Sequence, residues 1–232
     1  MVKSQLGKNM DFQIIKVKED VLQENAKRAD ELRKFLKNNR TYMINVMASP
    51  GSGKTTLLTS LINKLKNKFS IGVMEADIDG DVDAKNISEW TGVRTIQIHT
   101  SGACHLTAQM THDAIDQFNI KGIDLLFLEN VGNLVCPAEF DTGSNINMML
   151  LSVPEGDDKP LKYPLMFEVS KIAVISKIDT ARAFDFDFEK CEKNIHMRNA
   201  DSKVFKVSAL HDNGVQELAD YISDLIEKWR KD

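Results

Sequence analysis

The chain has 232 residues, 42% of them hydrophobic, enough for one large domain with a sizeable core. A formal charge of −4 and a pI near 5.8, with acids and bases mixed along the chain, leave no basic face for nucleic acid. No apolar run reaches membrane-spanning length and the opening MVKSQLGKNM has no apolar leader core. The expected setting is therefore cytoplasmic, without membrane insertion. Cys104, Cys136 and Cys191 are an odd number in a chain of this size and read as thiols or ligands, not as a disulfide frame.

Residues 1–17 are short and mixed, an arm or a strand. Val21, Asn25, Ala29, Leu32 and Leu36 recur at helical spacing and predict a helix over 20–38, stopped by Asn38-Asn39. Residues 1–40 thus read as an N-terminal arm and helix, and 41–232 as one nucleotide-binding domain carrying a metal site. Within it the apolar runs predict strands at 43–48, 71–76, 94–99, 125–128, 147–153, 172–175 and 204–207. Helices are expected at 55–66 and 107–118. A closing helix carries Val215, Leu218, Ile222, Leu225, Ile226 and Trp229 on one stripe, which is core. Residues 154–164, PEGDDKPLKYP, read as a polar loop. Short apolar strands alternating with helices predict an α/β fold with a mostly parallel central sheet flanked by helices. Such sheets bind ligands at the carboxyl ends of their strands.

The first strand runs into Ser49-Pro50-Gly51-Ser52-Gly53-Lys54-Thr55-Thr56. Gly51, Ser52 and Gly53 keep almost no side chain between backbone N–H groups and an anion, so the loop can ring a phosphate. Lys54 adds a point charge for the outer phosphates, Thr55 a hydroxyl for Mg²⁺, and a helix starting here aims its positive end at the same anion. This is a phosphate-binding loop with Ala48 where the pattern has Gly. After the second strand come Glu75, Asp77, Asp79, Asp81 and Asp83; of these Asp77 is the candidate for magnesium or for positioning water, ahead of Asp81 and Asp83. The fourth strand ends in Glu129, where this fold usually has a magnesium-shell carboxylate, and Gly132 follows with a backbone amide for the terminal phosphate. Lys54, Asp77 and Glu129 are the catalytic candidates; Thr55, Asp77 and Glu129 are the magnesium candidates. Residues 174–179, VISKID, approximate the guanine signature N-K-x-D with Ser176 in place of Asn. Asp179 would accept from guanine N1 and N2, donors that adenine lacks there, and Lys177 would lie along the base. Val207-Ser208-Ala209 resembles the loop that meets the guanine oxygen.

Cys104 and His105 are adjacent after the third strand, and Cys136 lies seven residues beyond Glu129. Spacing alone is a weak metal signal, because there is no C-x-x-C pair and a lone cysteine is usually a small core residue. A parallel sheet nevertheless brings neighbouring strand ends together. Two thiolates and an imidazole would suit square-planar Ni²⁺ or tetrahedral Zn²⁺.

The stretches SPGSGKTTLL, GACHLTAQM, LLFLENVGNLVCPAEFD, PEGDDKPLKYP and VFKVSAL resemble the HypB family of hydrogenase nickel-incorporation GTPases, over most of the chain from about Met43. The resemblance implies a P-loop GTPase of the SIMIBI class, the class of the signal-recognition, MinD and BioD proteins. It implies GTP-dependent homodimerisation and nickel delivery in [NiFe]-hydrogenase maturation, with a HypA-type nickel metallochaperone as partner and the hydrogenase large subunit as indirect recipient. It puts the metal ligands at Cys104, His105 and Cys136, and the phosphate-loop roles at Gly51, Ser52, Gly53, Lys54, Thr55 and Thr56. In the acidic segment it matches Glu75, Asp77 and Asp83. The departures are Ala48, Ala76 and Ser176. No Cys precedes Cys104 and no His precedes His99, so the N-terminal nickel store of many members is not expected. Three other readings stand beside this one. A urease-type nickel-insertion GTPase would carry Cys-Pro-His, whereas Cys104 and His105 are adjacent; a metal-binding module could retain a vestigial nucleotide pocket; and an ATP-using partitioning-type protein is disfavoured by Asp179.

Overall fold

The strand leading into the phosphate loop, β1 (Tyr42–Ala48), is buried at every residue, as a strand covered on both faces must be. The computed structural model describes residues 17–78, 80 and 82–231. The expected N-terminal arm, Asp79 and Asp81 lie outside the described residues. The other strands are β2 (Ile71–Asp77), β3 (Arg94–His99), β4 (Leu125–Glu129), β5 (Ile146–Ser152), β6 (Ile172–Ser176) and β7 (Lys203–Val207). They form one sheet in the order β3-β2-β4-β1-β5-β6-β7, and every neighbouring pair is parallel. The helices are α1 (Val17–Asn38), α2 (Lys54–Leu65), α3 (Val82–Thr91), α4 (Ala108–Phe118), α5 (Cys136–Glu139), α6 (Lys159–Lys162), α7 (Pro164–Glu168), α8 (Ala181–Phe184), α9 (Phe188–His196) and α10 (Val215–Lys231).

Alternation along β1 sends its side chains to two different cores. Ile44, Val46 and Ala48 face α2 and α10, where Leu58, Leu61, Leu218 and Ile222 complete one cluster. Met43 faces α1 and α4, packing with Leu32, Leu36, Ile115 and Phe118. Met47 joins a third cluster with Met149, Phe167, Cys191 and Ile195. Cys191 is thus a core residue, and burial holds its thiol up at about 12. Between Met43 and Met47, on the same face, stands Asn45. Asn130 donates to its Oδ1 at 3.1 Å, Asn45 donates to Asn147 Oδ1 at 2.9 Å, and Asn147 donates to the Val169 carbonyl at 3.1 Å. This seam of amides separates the second and third clusters.

Each expected strand and helix is present within two or three residues of its expected bounds. The differences lie where charge hid periodicity. The acidic stretch after β2 continues into α3, whose buried Ala84, Ile87 and Thr91 sit at helical spacing between charged and polar residues. The expected polar loop 154–164 is instead a 3₁₀ turn (Val153–Glu155) followed by α6 and the start of α7, each helix begun by a proline in its first turn. Helix α9 was also unsignalled; Cys191, Asn194 and Ile195 are its buried face.

Because Leu32 is 1% exposed and belongs to the cluster under β1 and β4, the α1 helix is packed into the core. Leu32→Ala should lower unfolding free energy by about 2–5 kcal/mol in a denaturant titration. A loss under about 0.5 kcal/mol, as at an exposed position, would show that α1 is only loosely attached.

Candidate functional site

At the carboxyl end of β1 the chain turns through Ser49–Gly53 into α2, and Gly53 takes a left-handed conformation, φ 95°, at the helix start. Ala48 ends the strand in extended backbone, fully buried, so the position needs no glycine here. Three elements grip the loop. Ser176 at the end of β6 donates to the Ser52 carbonyl at 2.8 Å, and Lys177 donates to the Gly51 carbonyl at 2.7 Å. The Ser176 departure from Asn therefore keeps a hydrogen bond to the phosphate loop. On the other side, a Cβ on Gly132 would lie 3.0–3.2 Å from the ring carbon, N and Cα of Pro50, so this close approach depends on glycine. Third, Glu155 accepts from the Ser49 hydroxyl and, at 2.9 and 2.7 Å, from the Ser152 N–H and hydroxyl. Glu155 falls within the PEGDDKPLKYP stretch, but sequence reasoning gave it no role of its own and did not foresee its grip on the phosphate loop.

Beside the loop opens a cavity of about 300 Å³. It is lined by Ser52, Gly53 and Thr56 on one side and by Lys177, Asp179, Ser208 and Ala209 on the other. The two base-reading segments named from sequence therefore meet. Asp179 accepts from the Ser208 hydroxyl, and this bond holds its carboxyl below the ordinary carboxylate value. Its ionised oxygens present acceptors into the cavity, and Lys177, at φ 58°, lays its stem along Gly53 with Cε 3.6 Å from that residue's Cβ direction.

Glu75, Asp77 and Asp83 line one small pocket. Glu75, Asp83 and Glu129 bring oxygens within 4.8 Å of one another. Asp77 is not of this trio; its Oδ1 accepts the Gly80 N–H at 2.8 Å, and its charge reaches Glu75. Glu129 is 1% and Glu75 3% exposed, and one oxygen of each has no hydrogen-bond partner. Burial lifts Glu75 to about 7 and Glu129 to about 8, against the pull of Lys54 and, for Glu129, a hydrogen bond with Thr55. Unsatisfied buried carboxylate oxygens beside a phosphate loop fit a hard divalent cation.

The predicted thiols and imidazole do converge. Cys104, His105 and Cys136 place ligand atoms within 4.8 Å of one another, with Cys104 Sγ 3.7 Å from His105 Nδ1. Parallel register makes this possible: β3 ends before Cys104, β4 before Cys136, and both flank β2. The Cys104 thiol is held up chiefly by its hydrogen bond to Cys136. Burial holds His105 low, which keeps its lone pair available, and its ring stacks on Phe140 at 3.9 Å. Two sulfurs and a neutral imidazole are a soft-to-borderline donor set, suited to nickel or zinc and unsuited to magnesium.

A family model described as CobW/HypB/UreG, nucleotide-binding domain, matches residues 42–206. A hydrogenase/urease maturation factor HypB of Helicobacter hepaticus is 40% identical over 92% of this chain and 89% of that protein. The hydrogenase maturation factor HypB of Escherichia coli K12 is 38% identical over 90% of this chain and 72% of its own. Among solved structures, HypB from Helicobacter pylori in complex with nickel aligns with a TM-score of 0.84 at 35% identity, covering 88% of this chain and 96% of that one. HypB from Archaeoglobus fulgidus aligns at 0.81 and 33%, covering 88% and 99%. The chain belongs to the CobW/HypB/UreG nucleotide-binding family and, within it, to the HypB hydrogenase maturation factors.

Proposed function

We propose that this chain is a slow GTPase that carries nickel during hydrogenase maturation, with the occupant of the guanine-nucleotide pocket setting how firmly the metal is held. The observation that carries the reading is one continuous segment. It starts at Glu129 beside Thr55, passes Pro50 of the phosphate loop at Gly132, and ends at Cys136 in the thiol–imidazole cluster. A change at the terminal phosphate pushes on Gly132 and so on the Cys136 sulfur.

In this mechanism Asp179 takes the guanine N1 and N2 donors, and Ser208 and Ala209 close over the base. Gly51, Ser52, Gly53, Thr55 and Thr56 present backbone N–H groups to the phosphates, Lys54 balances their charge, and the Gly132 amide meets the terminal phosphate. Magnesium, held by Thr55 and Glu129 with Glu75 and Asp83 close by, would neutralise charge on the phosphates. Asp77, beside Glu75 in the acidic turn, would face magnesium or position the attacking water. Nickel is cargo at Cys104, His105 and Cys136; zinc is the competing occupant of the same donors. The nickel-bound structure of the Helicobacter pylori relative supports nickel. The protein would work in the cytoplasm as a GTP-dependent homodimer, receive metal through a HypA-type chaperone and reach the hydrogenase large subunit indirectly. No described helix is long and apolar enough to cross a membrane.

Nickel affinity measured with GDP and again with a non-hydrolysable GTP analogue should differ about 5- to 150-fold, a coupling of about 1–3 kcal/mol. Cys136→Ser should weaken binding in both states. Equal affinities with the two nucleotides would end the switch reading.

Asp179→Ala should weaken GTP binding and leave ATP binding unchanged, and Lys54→Ala should abolish phosphate release. Parent-level phosphate release from Lys54→Ala would leave only a vestigial pocket.

In magnesium-free buffer the parent should lose thermal stability as pH rises. A carboxyl whose folded value is raised holds its proton in the folded state, and the unfolded chain gives it up from about 4.5. The cost of burying this group is therefore absent below that value and grows until the folded value near 8 is passed. Glu129→Gln should flatten this decline over pH 5–8.5 while abolishing turnover. A variant whose melting temperature tracks the parent across that range would refute the buried-charge account.

A further inference from the structure

Helix α1 lies outside the region matched by the family model, yet it reaches both metal-bearing segments. Asn25 is 7% exposed. Its Oδ1 accepts the N–H of Ala108 at 2.9 Å, and its Nδ2 donates to the carbonyl of Asp141 at 2.8 Å. Ala108 opens α4 three residues after His105, and its N–H is one of the helix-start donors with no partner inside the helix. The Thr107 cap serves Met110 instead. Asp141 directly follows Phe140, whose ring stacks on His105 at an interplanar angle of 21°. One buried amide, with its acceptor and donor each matched, thus spans the segment carrying Cys104 and His105 and the segment carrying Cys136.

The same two segments are tied to α1 again beyond Asn25. Arg28 bonds Gln109 in α4. Arg33 donates to both oxygens of Asp141 at 3.0 Å, and Asp141 Oδ1 accepts the Gly143 N–H at 2.8 Å. Gly143, at φ 80°, sits so close to α1 that a Cβ there would be 2.8 Å from Leu32 Cδ2.

We propose that Asn25 is a positioning residue for the Cys104–His105–Cys136 centre: it fixes the spacing of the two ligand-bearing segments so that both sulfurs and the imidazole stay within one coordination sphere. The proposal rests on the metal reading of that cluster. It touches no nucleotide group, so its signature is a loss of metal affinity with nucleotide handling intact. A brace of fold stability alone would lower the unfolding midpoint and leave metal affinity where it was.

The test uses the full chain with GDP bound. Nickel and zinc are titrated by calorimetry into the parent, Asn25→Ala and Asn25→Asp. Capture of phenylarsine oxide, which bridges two nearby thiols, reports the Cys104–Cys136 spacing without metal. Asn25→Ala should bind nickel about tenfold or more weakly, as loss of a ligand-orienting partner does, and capture the arsenical more slowly. Its KM and kcat for GTP should stay within about twofold of the parent, too small a change to count against a tenfold effect of about 1.4 kcal/mol. Asn25→Asp keeps the acceptor for Ala108 but sets a carboxylate oxygen against the Asp141 carbonyl, so it should also weaken nickel binding. Parent-level nickel affinity in Asn25→Ala overturns the proposal; if that variant does not fold, parent-level affinity in Asn25→Asp does so. If the parent takes up neither metal, the metal reading fails, and the brace is then judged on the arsenical alone: slower capture by the variant supports it and equal capture overturns it.

Discussion

Everything at the nucleotide end of this molecule depends on one close backbone approach, Gly132 against Pro50. The phosphate loop must stay open on its inner side to receive an anion, so it can be supported only from outside. Ser176, Lys177 and Glu155 hold it by side-chain hydrogen bonds, which have slack. Gly132 borders it by backbone proximity, with too little room against Pro50 for a side chain. In the proposed switch, displacement of the loop would press on the segment that ends at Cys136.

Two chemically different sites share that segment without competing for ions. Glu75, Asp83 and Glu129 offer hard oxygens; Cys104, His105 and Cys136 offer sulfur and imidazole. Ligand softness sorts the cations, so neither site needs a gate against the other's metal. Their protonation also differs in cause. Desolvation keeps protons on the buried carboxyls, whereas the neighbouring Cys136 keeps one on Cys104. In both places a cation would replace a proton that the fold already makes awkward to lose.

The sheet and the phosphate loop were legible from residue type and spacing, because apolar runs ended by glycine-rich or acidic punctuation have few structural meanings. The pairing of Asp179 with Ser208 and Ala209 was legible for the same reason: both stand just after a strand. Which carboxylates meet Glu129 was not, since five acids alternate over 75–83 and only the turn at Gly80 and the course of α3 decide which face inward. The convergence of Cys104, His105 and Cys136 was only weakly signalled, because it depends on strand order, with β2 lying between β3 and β4. Spacing placed Asn25 on the inward stripe of α1 and Glu155 in a polar stretch, but the partners of neither side chain could be read, because both contacts reach segments distant in sequence.

The amide seam across β4, β1 and β5 also answers a problem of registration. Fully buried parallel strands are apolar on both sides, so sliding one past its neighbour by a step or two swaps one aliphatic for another at little penalty. Asn45 removes that tolerance. Slipping β1 by a single residue would turn its amide toward the opposite core and break its bonds to Asn130 and Asn147. Three asparagines thereby act as a vernier for the sheet, and they fix how far the loops beyond the strand tips project.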